Sequence, residues 1–268
     1  MFLSTLSNTK SEVIDQCLKK YEYRYIRKFP GFPAKNEDSL NFGSYIHKIF
    51  EEGYKDNDIK TLEKLAEDLK KSYNVPYNYK DKTQECLDNF IKFNGKLGET
   101  LATEYEFKLE LAEGIEYTGF IDRIVAGKEG GILIIDYKTS KSEKSRVQLF
   151  NDNQLKGYAY AISQIYRKEL KEIYCGHYYP MTGNFVDIQY PQSSINKWKK
   201  EAIDRAWKIR KKKADEFQPS KNTFCDWCEY KPMCPAYCTA HEVAVKIEEQ
   251  KELKKKLDEA KKLEEEKK

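Results

Sequence analysis

Two runs decide the fold: Tyr117-Thr118-Gly119-Phe120-Ile121-Asp122-Arg123-Ile124-Val125-Ala126 and Ile132-Leu133-Ile134-Ile135-Asp136-Tyr137-Lys138-Thr139. Between them lies Gly127-Lys128-Glu129-Gly130-Gly131, a turn signal that predicts a hairpin. Strand side chains alternate, so Asp136 and Lys138 share one face, and an apolar central strand has no packing reason to hold either there. Such groups need a partner or a metal. A lone D-x-K is most simply an ion pair at a strand end. Here a second carboxylate, Asp122, sits on the neighbouring strand of the same hairpin.

Working outward, Glu104 to Leu111 alternates Tyr105, Phe107, Leu109 and Leu111 with charged residues, the period of a half-buried strand. Upstream the period is helical. Val13, Ile14, Cys17, Leu18, Tyr21 and Tyr25 predict a first amphipathic helix, capped near Asn8 or Thr9, with Cys17 on its apolar face. Further helices are expected at 39–54, 59–73 and 82–101. Downstream, Leu155, Tyr158, Ala159, Ile162 and Ile165 mark a helix, and 172–179 and 184–190 read as two more strands. The order is therefore helices, three strands, a helix, two strands and a helix. This is an α/β pattern with a central mixed sheet flanked by helices. We expect one domain over 1–240, divided into a helical part (1–101), a catalytic core (102–192) and a basic helix with cysteines (193–240). A charged helical tail follows over 241–268.

The chain has 268 residues, 40% hydrophobic and 34% charged, enough for one large mixed domain with a proper core. No apolar run approaches the roughly 20 residues that cross a bilayer, and the first ten residues lack a signal-peptide pattern, so we expect a cytoplasmic protein with no membrane partner. The net charge of +4 identifies no partner by itself. Its distribution is uneven: Lys197, Lys199, Lys200, Arg205, Lys208, Arg210, Lys211, Lys212 and Lys213 face only Glu201 and Asp204. That run is either a phosphate-facing stripe or a solvated helix face. From Glu242 onward nine acidic and nine basic residues cancel. Tyr21, Tyr23, Tyr25, Phe29 and Phe32, interleaved with Arg24, Arg27 and Lys28, could stack on bases or pack in a core.

Carboxylate oxygens at Asp122 and Asp136 suit Mg²⁺ or Mn²⁺, which can activate water and neutralise phosphodiester oxyanions. Lys138 then orients the attacking water and stabilises developing negative charge, with a base role only if burial depresses its pKa. Seven cysteines in a reducing compartment point to metal or cluster binding rather than disulfides. Cys225-Asp226-Trp227-Cys228, followed by Cys234, is a strong ligand signature. With Cys238 these could form a local four-cysteine zinc knuckle. Cys86 and Cys175 lie in apolar runs and read as buried thiols.

Together these residues resemble the PD-(D/E)XK nuclease superfamily, in its RecB-like branch, over most of the chain. Four blocks stand in family order: Gly43-Ser44-Tyr45-Ile46-His47 with Phe50-Glu51, then Gly119 to Ile124, then Asp136-Tyr137-Lys138, then Gln154-Leu155-Lys156-Gly157-Tyr158. The resemblance implies a restriction-endonuclease-like core. It implies metal ligation by His47, Asp122 and Asp136, catalysis by Lys138, and support of the site with DNA contact by Gln154 and Tyr158. Glu104 looks like the family's acidic residue on the preceding strand, with Glu106 as its substitute. Members of this branch hold a four-iron (4Fe–4S) cluster, and the matching cysteines are Cys17, Cys225, Cys228 and Cys234. A cluster there would be a structural staple on a very long loop.

The resemblance therefore implies a metal-dependent DNA exonuclease working on single-stranded or frayed ends in a bacterial, archaeal or virus-infected cell. Its partners would be DNA and, in some relatives, recombination, replication or CRISPR-adaptation proteins. Two rivals share the fold: an accessory nuclease active only inside a larger complex, and a catalytically silent DNA-binding module. The intact Asp122, Asp136 and Lys138 argue against the silent module. An iron-sulfur redox protein is a third, for which no electron partner is indicated, and no P-loop motif occurs in the chain.

Overall fold

A computed structural model describes residues 5–33, 37–56 and 58–266. The chain divides into two compact units, Met1–Glu37 with Asp204–Lys268, and Asp38–Ile203. The second division falls inside the helix Gln192–Arg210. Among the described residues no helix is long and apolar enough to cross a membrane.

The unit Asp38–Ile203 is built on five strands: β1 (Thr100–Ala112), β2 (Ile115–Ala126), β3 (Ile132–Tyr137), β4 (Ile173–Tyr179) and β5 (Asn184–Ile188). They pair in that order. The pairs β1–β2, β2–β3 and β4–β5 are antiparallel, and β3–β4 is parallel. A parallel pair needs a long crossover, and the segment containing the helix Asn153–Ile165 supplies it. The expected mixed sheet is thus present, and the parallel pair β3–β4 puts the strand carrying Asp136 beside the strand carrying His177.

Helices Glu37–Gly53, Ile59–Lys70 and Lys80–Asn94 bury their apolar stripes in one core with Val125, Ile135, Tyr137 and Tyr178 from the sheet. Stacked rings tie the layers, with Phe50 on Phe90 at 4.0 Å and Phe93 on Tyr178 at 3.9 Å between centroids. The helix expected over 82–101 ends at Asn94, and strand β1 begins at Thr100. Gly98 explains why the link is tight: a β-carbon there would lie 2.4 Å from the Ala126 carbonyl oxygen.

The first unit corrects one expectation. The opening helix runs Asn8–Gln16, capped by the Ser7 side chain, and breaks at Cys17, whose backbone is extended (φ −164°, ψ 118°). Helix resumes over Leu18–Tyr21 and widens into a π turn over Glu22–Ile26. Cys17 therefore stands at a break rather than on a continuous apolar face. Two bonds hold the break, Asn222 Nδ2 donating to the Gln16 carbonyl (2.9 Å) and the Ser220 N–H donating to Cys17 Sγ (3.5 Å). A periodicity argument averages over turns and cannot see a one-residue break of this kind.

In the same unit Tyr23, Phe29, Tyr230 and Met233 form a small core, and Tyr21, Tyr23 and Phe29 are buried. Those rings pack inward and are not free to stack on bases. The tail is the helix Ala240–Glu265, anchored where buried Gln250 accepts from the Gly31 N–H at 2.8 Å.

Candidate metal and active site

The carboxylates meet because of strand register. Arg123 pairs with Ile135 across β2–β3, so one step further Asp122 and Asp136 come level. In β1, Thr103 pairs with Arg123 and Tyr105 with Ile121, which brings Glu104 level with Asp122. Glu104 holds φ +45° inside a strand, a left-handed conformation that costs a non-glycine residue roughly 1–3 kcal/mol. Glu106, the substitute considered above, is exposed.

The helix Glu37–Gly53 delivers His47. Its Nε2 lies 3.0 Å from the Tyr137 carbonyl oxygen, which can only accept, so Nε2 carries the proton and Nδ1 presents a lone pair. That Nδ1 lies 3.5 Å from Asp122 Oδ2. One ligand atom each from His47, Glu104 and Asp122 falls within 4.8 Å of the others. A lone pair facing two carboxylates is repulsive unless a cation lies among them, and an N,O,O set rich in carboxylate oxygen suits Mg²⁺ or Mn²⁺. The donor set therefore fits a divalent metal.

The electrostatics agree with that fit. Burial, then the charges of Asp136 and Glu104, push the Asp122 carboxyl well above the usual range, although the Tyr137 N–H, 2.7 Å from Oδ2, opposes the shift. Burial and the Glu51 charge also raise Glu104, and burial holds His47 below its ordinary value. Asp136 stands beside this set, buried, with Oδ2 2.6 Å from Lys138 Nζ. Burial pulls the Lys138 ammonium down, but Asp136, Asp122 and Asp152 together outweigh it and leave Lys138 raised. Lys138 is therefore a cation at neutral pH, so stabilising charge and orienting water fit it better than acting as a base.

The helix Asn153–Ile165 completes the arrangement. Lys138 Nζ donates to Gln154 Oε1 (3.1 Å), and Gln154 Nε2 donates to Tyr158 Oη (2.8 Å). Asp136, Lys138, Gln154 and Tyr158 thus form one chain of contacts. Gly157 is required where the helix lies on β2, because a β-carbon there would stand 2.2 Å from Tyr117 Oη. Two residues went unnoticed in the sequence. Asp152 caps this helix, accepting from the N–H groups of Gln154 (3.0 Å) and Leu155 (3.1 Å), and pairs with Lys144 at 2.7 Å. His177, wholly buried on β4, has Nε2 3.6 Å from Asp136 Oδ2 and 3.8 Å from Asp152 Oδ2. The available signal was a histidine inside an apolar strand.

In the other unit, Cys17, Cys225, Cys228 and Cys234 line one cavity of about 30 Å³, which Cys238 does not line. Cys225 Sγ accepts the Asn222 N–H at 3.3 Å. Cys238 Sγ is turned to the Pro232 carbonyl at 3.3 Å. No disulfide joins any of the seven cysteines, and Cys86 and Cys175 are buried, with burial pushing the Cys86 thiol up to about 12. The basic run is partly engaged: Lys199 donates to Tyr160 Oη, and Arg205 pairs with Asp15.

The sequence model of the PD-(D/E)XK nuclease superfamily matches residues 5–235. The chain belongs to this superfamily. The superfamily's dependence on divalent metals accords with the His47, Glu104 and Asp122 set. Among characterised relatives, one component of an ATP-dependent helicase/deoxyribonuclease from Streptococcus uberis is 22% identical over 213 residues, 73% of this chain. This chain spans 19% of that relative's length. A solved structure of a candidate exonuclease from Eubacterium rectale shares the fold, with a TM-score of 0.54 at 13% identity over 85% of this chain and 88% of the other.

Proposed function

We propose that this chain hydrolyses DNA phosphodiester bonds with Mg²⁺ or Mn²⁺, as an exonuclease on single-stranded or frayed ends. The observation that carries the reading is the convergence of His47, Glu104 and Asp122 within 4.8 Å, beside an Asp136–Lys138 pair at 2.6 Å. A cation held by His47, Glu104 and Asp122, with Asp136 next to them, would supply Lewis acidity toward a phosphodiester oxygen and lower the pKa of attacking water. Lys138 places a fixed positive charge where negative charge develops on the phosphorus oxygens. Gln154 and Asp136 hold that ammonium from two sides, and Tyr158 holds Gln154. The named activity of the Streptococcus uberis relative supports DNA over RNA as the substrate, and the description of the Eubacterium rectale structure supports the exonuclease class.

The same reading assigns Cys17, Cys225, Cys228 and Cys234 to a structural 4Fe–4S cluster. Cys17, Cys225, Cys228 and Cys234 line one cavity that Cys238 does not line, which supports that set of ligands over the zinc knuckle with Cys238. N–H groups directed at Cys17 and Cys225 suit sulfur ligands of iron.

The test is cleavage of end-labelled single- and double-stranded DNA by anaerobically purified protein in Mg²⁺, Mn²⁺ or EDTA, beside Asp136→Ala. Shortening from one end that needs both metal and Asp136 is the expected result. No cleavage with any metal would overturn it. A second reading, an accessory nuclease active only with a partner in recombination, replication or CRISPR adaptation, is favoured by the relative's being one component of a helicase/deoxyribonuclease. Activity that appears only on adding such a partner would decide for it.

A further inference from the structure

His177 lies on β4 directly opposite Asp136 in the parallel pairing with β3, with no exposed surface. Its ring is held from one side by Tyr179, whose hydroxyl is 3.3 Å from Nδ1. That hydroxyl already accepts the Lys144 N–H at 2.9 Å. If Nδ1 donated to it as well, the buried Tyr179 proton would have no acceptor, so Tyr179 donates to Nδ1 and the ring proton sits on Nε2. Among the described residues this N–H is a buried polar group without a hydrogen bond, and beside it lies Asp136 Oδ2, which Lys138 Nζ already engages at 2.6 Å. The two face each other at 3.6 Å, with Asp152 Oδ2 at 3.8 Å from the same nitrogen. A buried donor between two carboxylates is held there by attraction to both, and leaving it unpaired would be costly.

The two carboxylates belong to different parts of the site. Asp136 is beside the metal set, and Asp152 caps the helix that carries Gln154 and Tyr158. We propose that His177 is a positioning residue: its Nε2–H bridges Asp136 and Asp152, and so fixes the Asp136 carboxylate relative to the helix that holds Lys138 through Gln154. This rests on the proposed role of Asp136 in divalent-metal binding. A partner that orients a ligating carboxylate typically changes metal affinity by 10–100-fold when it is lost. His177 therefore sets how tightly the site takes its cation, and it touches no substrate.

The test measures Mn²⁺ binding to the full chain by electron paramagnetic resonance, without DNA, for wild type, Asp136→Asn, His177→Phe and His177→Gln. His177→Phe keeps the ring volume and removes the donor, and His177→Gln restores an amide donor near the Nε2 position. The expected result is a 10–100-fold weaker Mn²⁺ affinity in His177→Phe and recovery to within about threefold of wild type in His177→Gln. Wild-type affinity in a folded His177→Phe overturns the proposal. If His177→Phe does not fold, His177→Gln decides: near-wild-type affinity supports the bridge, and a loss of tenfold or more at unchanged thermal stability overturns it. A wild type that binds no Mn²⁺, or an Asp136→Asn variant that binds like wild type, instead defeats the metal-site reading itself.

Discussion

Asp122→Asn should make the metal-free protein more stable while ending its function. The Asp122 and Glu104 oxygens lie within 4.8 Å of each other. Two unit charges at that distance repel by about 3.5 kcal/mol at an effective dielectric of about 20. Burial and these neighbouring charges raise the Asp122 carboxyl, so protonation already relieves part of the repulsion in the wild type. The amide keeps an oxygen to accept the Tyr137 N–H that Asp122 accepts at 2.7 Å. The expected gain at neutral pH is therefore about 1–2 kcal/mol, a rise of roughly 3–6 °C in melting temperature. The sign with pH is fixed by the direction of the shift. A carboxyl raised in the folded state stabilises that state where it is protonated, and stability falls as pH climbs from the unfolded value of about 4 through the raised folded one. The variant lacks this fall, so the two proteins converge in acid and separate toward neutrality. Melting in EDTA at several pH values, repeated with Mg²⁺, reads all of this. Mg²⁺ at a hundredfold its dissociation constant should stabilise wild type by about 2.7 kcal/mol, and the variant much less. A variant less stable than wild type in EDTA at neutral pH, or equally stabilised by Mg²⁺, would refute the reasoning.

Lys138→Ala and Asp136→Ala should each lower DNA cleavage by about 10²–10⁴-fold in a gel assay while circular dichroism and the visible chromophore stay unchanged; wild-type rates in either would defeat the active-site assignment. Cys17→Ala should bleach the chromophore, lower iron content and lower the melting temperature, whereas Cys238→Ala should leave all three alone; an unchanged metal content in Cys17→Ala would point to the local four-cysteine zinc knuckle. Gly157→Ala sets a methyl 2.2 Å from Tyr117 Oη and should cost about 1–3 kcal/mol by overpacking, less about 1 kcal/mol gained in helix propensity, as read by urea unfolding.

The sheet and its hairpins were legible because the strands alternate or run apolar between glycine turns, and because a buried Asp136 in such a run demands a reason. The ends of elements were less so. Asn94-Gly95 closes a helix that apolar spacing alone extends to residue 101, and Cys17 interrupts one that spacing alone continues. Asp152 carried a local signal, an acidic residue just before a periodic helix, whereas the meaning of His177 depends on pairing. Only once β3 lies parallel to β4 does a histidine 41 positions away stand beside Asp136, and nothing local in either strand encodes that register. The aromatic run at 21–32 was ambiguous for the same reason, since burial of Tyr21, Tyr23 and Phe29 is a tertiary fact.

The site runs against the rules that shape the rest of the unit. Elsewhere the sheet buries Ile, Val and Tyr; here it gathers acidic groups from three neighbouring strands and aims a histidine lone pair at them. Glu104 adds a left-handed backbone in mid-strand where glycine would sit without strain. A strand needs no such residue for pairing, since Thr103 and Tyr105 on either side keep their register. What the conformation accompanies is a carboxylate held within reach of Asp122 and His47. Charge repulsion, an unpaired lone pair and backbone strain, all destabilising in the metal-free protein, meet at one point, and a divalent cation relieves the first two together. That coincidence is a stronger argument for a metal centre than any one of the residues, because one cation relieves both electrostatic costs and the strained backbone is what carries one of the carboxylates to it.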